Sequence, residues 1–503
     1  MTLQVMAAAW RAVADEMEAS LVASAHSPNI TERRDCSTAV FDAAGRMVVQ
    51  AATIPVHLGA MPEAVAAVIA RGVAPGDVWI VNDPYRGGTH LPDLTLVSPL
   101  YQDRRHVGFA VSRAHHADVG GMAPGSMPAG SRELVQEGLV LPPVRLVRDG
   151  AVDPGIHAII LANSRTPGER DGDLRAQVAC HRVADARVAE LIARHGPALC
   201  VEALAALLEY GERRTRAAIA GLPDGTYEAV EELEGDGVTE EPLRIRVAVT
   251  IRGDAMDVAF DGTSPAGPGN MNCPLAVTRS AVYFVVRCVT DPDIPASAGA
   301  FAPVTITAPD GCLVNARPPS AVAAGNVETS SRIVDAVFAA VGRAVDVPAQ
   351  GQGTMNNLTI GGRGFTYYET MAGGQGASPG ADGPDAVHVA MSNTLNTPVE
   401  MLESAFPLRV EAYRVRRGTG GAGAHRGGDG VERVIRVLAD ADASIISERR
   451  ASGPRGAHGG GDGAPGENLL NGEPVGAKWR GAVRAGDVIT LRSPGGGGWG
   501  PAG

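Results

Sequence analysis

The hydrophobic spacing changes period repeatedly along this chain, which excludes a uniformly helical or uniformly β architecture. Leu3, Met6, Trp10, Val13, Met17 and Leu21 recur at intervals of three and four, so the chain is expected to open with an amphipathic helix. From Thr38 the run STAVFDAAGRMVVQ reads as two short strands around an Ala-Ala-Gly turn. PEAVAAVIARG then reads as a helix with Pro62 near its start and Gly72 past its end, and GDVWIVNDP as a strand that stops before Pro84. Residues 157–220 carry Ala, Leu, Arg and Glu at helical spacing, with breaks around Gly168 and at His195-Gly196-Pro197.

The period shortens again after Pro223-Asp224-Gly225. TYEAVEELEGDG, LRIRVAVTIRGD and MDVAFDGTSP predict successive strands, and helices are expected near 275–288 and 327–341. Beyond Gly351, short β-prone runs such as FTYYET, RVEAYRVRR and VERVIRVLAD lie between glycine-rich stretches. Those glycines predict tight turns, and GGGGWGPAG reads equally well as a partly disordered tail. A chain of 503 residues exceeds one ordinary core. The expectation is a large multidomain α+β chain with mixed or antiparallel sheets, divided at residues 1–224, 225–345 and 346–503.

Lys plus Arg total 44 against 56 Asp plus Glu, a net charge of −12, and no polybasic run offers a surface to nucleic acid or anionic lipid. No apolar run reaches transmembrane length and no leader pattern opens the sequence, so a cytoplasmic location is expected. Cys36, Cys180, Cys200, Cys273, Cys288 and Cys312 are scattered without a CxxC pair, and read as reduced, mostly buried small apolar residues.

The chemistry concentrates in NDPYRGGTHLPDLTLVSPLYQDRRHVGFAVSRAHHADVGG. If 94–101 and 106–114 form a hairpin around QDRR, paired residue numbers sum to 207. Asp93 then faces Ala114 and Pro92 faces His115, and His90, Asp93 and His115 crowd one end of the sheet. Two imidazoles and a carboxylate suit zinc, manganese or iron(II) with positions open for water or substrate. The competing expectation is a pair of hydrogen-bonded hairpin-end histidines. In PNITERRDCS, either Glu32 or Asp35 has the chemistry to add a carboxylate or a general base, or to pair with Arg33 or Arg34. His57, in IPVHLGAMP, is readable as a pocket residue or as a satisfied core histidine.

Gly418, Gly420 and Gly423 satisfy GxGxxG, but AHRGGDG follows where a helix would have to start. Gly376, Ser378 and Gly380 satisfy GxSxG, but Pro379 follows the serine and the flanks read as loop. No GxxxxGK[ST] segment occurs, so any ATP used is expected to be bound by another subunit.

Taken together, NITERRDCSTAVFD, IPVHLGAMP, NDPYRGGTHLPD, RAHHADVGG, GERDGDLRAQ, DGTSPAGPGNMNCP, YYETMAGGQGA and TGGAGAHRGGDG resemble the hydantoinase B/oxoprolinase family over almost the whole chain. The resemblance implies a B-type subunit working with an A-type ATP-binding subunit in a hetero-oligomer, on small cyclic amides such as hydantoins, 5-oxoproline or lactams. It implies a divalent metal (zinc, manganese or iron) on Glu32, His90, Asp93 and His115, with Glu32 as either ligand or base. His116 and Asp118, next to this set, are expected to orient the ligands or assist catalysis, and His57, from its own loop, is the further catalytic candidate. The family also holds ketone carboxylases, so carboxylation is the alternative chemistry, and a non-catalytic scaffold is the third reading.

Overall fold

The computed structural model describes residues 3–51 and 54–503. The fold is α+β, as the changing period predicts. The predicted helices form at Leu3–Ser24, Met61–Ile69, Leu275–Val289 and Ser330–Val341. The helical block resolves into Pro154–Ala162, Pro167–His195 and Pro197–Ile219. The first break lies just before Gly168, which sits in the opening turn of the long helix, while Gly196 at φ 81° ends that helix. Among the described residues, no single helix is long and apolar enough to cross a membrane.

A seven-stranded antiparallel sheet carries the chemistry. Its order is Met47–Ala51, Cys36–Asp42, Arg105–His115, Asp93–Gln102, Val78–Val81, Val144–Arg148 and Ala151–Val152. Successive side chains alternate between its faces. Val40, Ala110 and Ala114 point toward Trp10, Cys180 and Leu204 of the long helices. Ala39, Phe41, Phe109 and Val111 point the other way, onto Met61 and Val65. The sheet is therefore buried on both sides, and a polar group on it needs a partner or a task.

The central hairpin departs from the expected register in an instructive way. Its turn is two residues, Asp103 and Arg104, both at positive φ (46° and 69°), the turn whose twist matches paired strands. Tyr101 pairs with His106 and Gln102 with Arg105, which keeps the expected sum of 207. A bulge at Leu100/Tyr101 then shifts the rest to 208, so Asp93 faces His115 directly and not Ala114.

A second, mixed sheet of Val304–Thr307, Ala255–Ala259, Leu243–Arg252 and Gly225–Leu233 packs under the helices Leu275–Val289 and Ser330–Val341. Its core also takes in Ile54, Val56 and Met127 from one side and Met355, Tyr368 and Met391 from the other. Two further antiparallel sheets, one containing Asn357–Gly362 and one containing Gly430–Val437, enclose a shared core of Leu358, Ile360, Leu408, Ile435 and Leu491.

Glycines beyond 351 close tight turns between strands as expected, at Gly364, Gly472 and Gly486 (φ 81°, 86° and 102°), but the last glycine run is not a loose tail. Gly495, Gly496, Gly497 and Gly498 are buried, and their N–H groups donate to Ala464, Gly428, Gln350 and Gly461 carbonyls at 2.8–3.1 Å. A Cβ on Gly496 would lie 2.0 Å from the Gln375 oxygen, so glycine is required by backbone against backbone contact. All six cysteines are free, and only Cys288 is exposed.

Candidate functional site

The segment after Val78–Val81 is shaped to present His90. The Asp83 carboxylate accepts the Tyr85 N–H at 3.0 Å, and Gly87 turns the chain at φ 101°. Gly88 is pressed so close that a Cβ would sit 2.1 Å from the Asn82 oxygen. Asn82 clamps the segment, its Nδ2 donating to Leu91 O (2.8 Å) and Leu139 O (2.9 Å). Arg113, fully buried, donates to Thr95 Oγ1 (2.7 Å) and Gly87 O (2.8 Å), tying this turn to the hairpin.

At the end of the hairpin three donor atoms meet. His90 Nε2 lies 3.0 Å from Asp93 Oδ1, His115 Nδ1 lies 3.2 Å from the same oxygen, and the two ring nitrogens are 3.2 Å apart. Each residue is at most 2 % exposed. For donors about 2.1 Å from one ion, adjacent corners of an octahedron are about 3.0 Å apart and those of a tetrahedron about 3.4 Å. The observed spacing of 3.0–3.2 Å lies within that span, and the donor chemistry of two imidazoles and one carboxylate suits a divalent transition metal.

The electrostatics favour a cation at the same point. Burial alone would raise the Asp93 carboxyl, but the charge of His90 and hydrogen bonds from His115, His57 and His90 hold it well below the usual range. Burial likewise opposes a charged His90, yet Asp93 outweighs it and raises the imidazole above its ordinary value. His115 is pushed down by burial. The buried carboxylate that draws a proton to His90 equally favours a metal ion in competition with that proton.

The cluster borders a buried cavity of about 20 Å³, room for one water or ion. Asp35 and His57 line it with the three donor residues, and so do Asn326 and Tyr368. His57 Nδ1 is 2.8 Å from Ser37 Oγ and its Nε2 3.7 Å from Asp93 Oδ2, so the pocket reading of His57 fits its position. The Asn326 amide approaches His90 Nε2 at 3.2 Å, while its Oδ1 has no partner. Tyr368 stacks flat on His115, with centroids 4.4 Å apart and an interplanar angle of 14°, and the buried Arg33 guanidinium covers the tyrosine.

The structure separates three of the other expected residues from this cavity. Glu32 is half-buried and does not line it; Asp35 takes that place, because Cys36 pairs with Ala114 and sets the preceding residue beside His115, whose N–H donates to Asp35 O at 3.0 Å. His116 points to the opposite face of the sheet, where its Nε2 meets Gln177 Oε1 at 2.8 Å. Burial and the Arg170 charge push it down to about 3, so it is a neutral core histidine. Asp118 organises a loop, accepting from Gly120 N, Gly125 N, Arg165 N and Arg165 Nη1 at 2.9–3.1 Å. Asn326 and Tyr368 are site residues that sequence reasoning misses; the only signal for Tyr368 is its place in YYETMAGGQGA.

The hydantoinase B/oxoprolinase family profile matches residues 1–502. The chain belongs to the hydantoinase B/oxoprolinase family. It is 38% identical to a protein of Methanocaldococcus jannaschii over 99% of this chain and 90% of that one. It is 34% identical to a 5-oxoprolinase of Dictyostelium discoideum over 99% of this chain, but spans only 40% of that longer protein. It is also 30% identical to a candidate B-type subunit of a D-/L-hydantoinase from Pseudomonas sp., over 88% of this chain and 79% of that one. Among solved structures, the ATP-dependent caprolactamase of Pseudomonas jessenii superposes with a TM-score of 0.93 at 27% identity, covering 99% of this chain and 91% of that one. Acetone carboxylase shares the fold, with a TM-score of 0.90 at 20% identity, covering 99% of this chain and 75% of that one.

Proposed function

We propose that this member of the family is the B-type subunit of an ATP-dependent cyclic-amide hydrolase, in which His90, Asp93 and His115 hold a divalent metal. The observation that carries the reading is the buried meeting of three donor atoms at 3.0–3.2 Å in a chain similar over its length to 5-oxoprolinases and a caprolactamase. Zinc, manganese or iron(II) bound there supplies Lewis acidity toward a carbonyl oxygen and lowers the pKa of a nearby water.

The chain's own residues do the rest. Asp35, on the cavity wall, accepts the proton lost by the attacking water. His57 is oriented by Ser37 and hands a proton to the departing ring nitrogen, and hydrolysis of the acyl phosphate so formed releases inorganic phosphate and the ring-opened carboxylate. Tyr368 fixes the plane of His115, and the free Oδ1 of Asn326 accepts a hydrogen bond from the attacking water. The buried lining of this small pocket keeps bulk water from the donor cluster.

ATP is assigned to an A-type partner that phosphorylates the ring amide oxygen, since this chain has no GxxxxGK[ST] segment. The matched 40% of the longer 5-oxoprolinase supports this division, with the partner's share carried elsewhere in that single chain. The test is co-expression with the A-type partner and measurement of ATP consumption with product mass on hydantoins, 5-oxoproline and lactams, then on ketones, with and without bicarbonate. Ring-opened product without bicarbonate is expected. A product heavier by one carboxylate and formed only with bicarbonate would replace the reading with a carboxylase, and an unimpaired His90→Ala complex would leave the chain as a scaffold.

A further inference from the structure

The cavity beside the donor cluster is far too small for a cyclic amide, yet a second cavity of about 820 Å³ lies directly behind its wall. That is within the usual size of small-molecule sites, about 300–1,000 Å³. Two strips of chain form the partition. In 54–56, Ile54 and Val56 face the small cavity and Pro55 the large one. In 390–392, Met391 faces the small cavity, Ala390 the large one, and Ser392 lines both. The wall is thus one residue thick, and Ser392 is held in it by His388, whose Nδ1 lies 2.6 Å from the serine Oγ.

The large cavity is amphipathic. Phe284, Val334, Phe338 and Val389 give it an apolar side, with the two phenyl rings edge to face. Its one lining acid, Asp335, is already matched by Arg332 and Arg449. Arg455, bound to buried Glu231, also reaches the wall, while Arg343 is exposed and makes no ion pair among the described residues. The uncommitted charge is positive in a protein whose net charge is −12. Such a site selects a small molecule with an apolar body and an oxyanion.

We propose that this cavity is the substrate-receiving chamber of the enzyme, that it binds a small ring compound carrying a phosphate or similar oxyanion, and that Ser392 and His388 form the door to the donor cluster. The assignment rests on the cyclic-amide reading given above, in which a phosphorylated ring arrives from the partner.

Phenyl phosphate, titrated calorimetrically into the full chain after chelator treatment, tests the chamber without contribution from a metal. Binding is expected, weakened about tenfold by Arg343→Glu, the scale of one charge-assisted contact. It should be weakened in Ala339→Trp, whose indole projects into the chamber, while metal binding at His90, Asp93 and His115 is retained. Equal affinity for wild type and both variants, or no binding to wild type, overturns the proposal. Binding of neutral 2-pyrrolidinone as tight as phenyl phosphate overturns the oxyanion preference. These results are independent of the metal centre: an unimpaired His90→Ala complex would remove the hydrolase reading and leave a measured chamber in place.

Discussion

His115 and His116 are neighbours in sequence and equally buried, yet they stand on opposite faces of one strand and in opposite chemical circumstances. On the His115 face the polar groups look at one another across a small cavity, and several of their atoms lack protein partners. On the His116 face the histidines pair separately with neutral neighbours at the helix Pro167–His195, and the orphaned His116 Nδ1 joins no cluster of three ligand-type side chains among the described residues. His116 is bound to Gln177, and His181 is held between Ser98 Oγ at 2.7 Å and Ser112 Oγ at 2.9 Å. The comparison teaches that a buried histidine becomes a functional candidate through convergence with other ligand-type side chains, since a ring nitrogen without a partner occurs on both faces. Burial and a shifted pKa occur on both faces.

The sharpest way to break this comparison is to truncate one histidine on each face. His115→Ala in the complex with the A-type partner should lower ring-opening turnover by about a thousandfold, as loss of a metal ligand does, with partner ATPase surviving. Next in size is the contrast between two acids: Asp35→Asn should cost about 100-fold in turnover, the lower end for loss of a general base, while Glu32→Gln stays within about twofold. Equal effects would return the carboxylate role to Glu32. His116→Asn should keep turnover within about threefold, measured in the same assay, because the histidine side chain points away from the cavity.

The smallest effect concerns pH. Burial pushes His181 down to about 3 in the folded protein, whereas an unfolded histidine titrates near about 6.5. Between those values only the unfolded chain takes up the proton, so this residue's contribution to stability is lost as pH falls below about 6.5. His181→Gln, which keeps donors and acceptors toward both serines, should reduce the drop in Tm between pH 7 and 5 by about 2 °C, read by scanning calorimetry.

These predictions depend unequally on what the sequence alone discloses. His90, Asp93 and His115 are legible because they belong to one hairpin whose pairing is local, and even a one-residue error in register keeps them at the same end of the sheet. The bulge at Leu100/Tyr101 leaves no mark in the pattern. Asp35 cannot be chosen over Glu32 from sequence because its position depends on Cys36 pairing with Ala114, a contact distant along the chain. Asn326 and Tyr368 reach the cavity from other sheets and helices, and no local period encodes such meetings. His116 is excluded from the site by a local rule: adjacent residues on a strand face opposite ways. The final glycine run misleads because composition does not distinguish a loose tail from backbones packed against each other, as at Gly496.

The central claim is that the His115 face, and not the His116 face, binds a divalent metal. Chelator-stripped full-length chain should be titrated with Zn²⁺ and with Mn²⁺ as wild type, His115→Ala and His116→Asn, with bound metal counted by mass spectrometry after desalting. The account predicts one ion per chain in wild type and His116→Asn and none in His115→Ala. Equal metal content in all three proteins would contradict it.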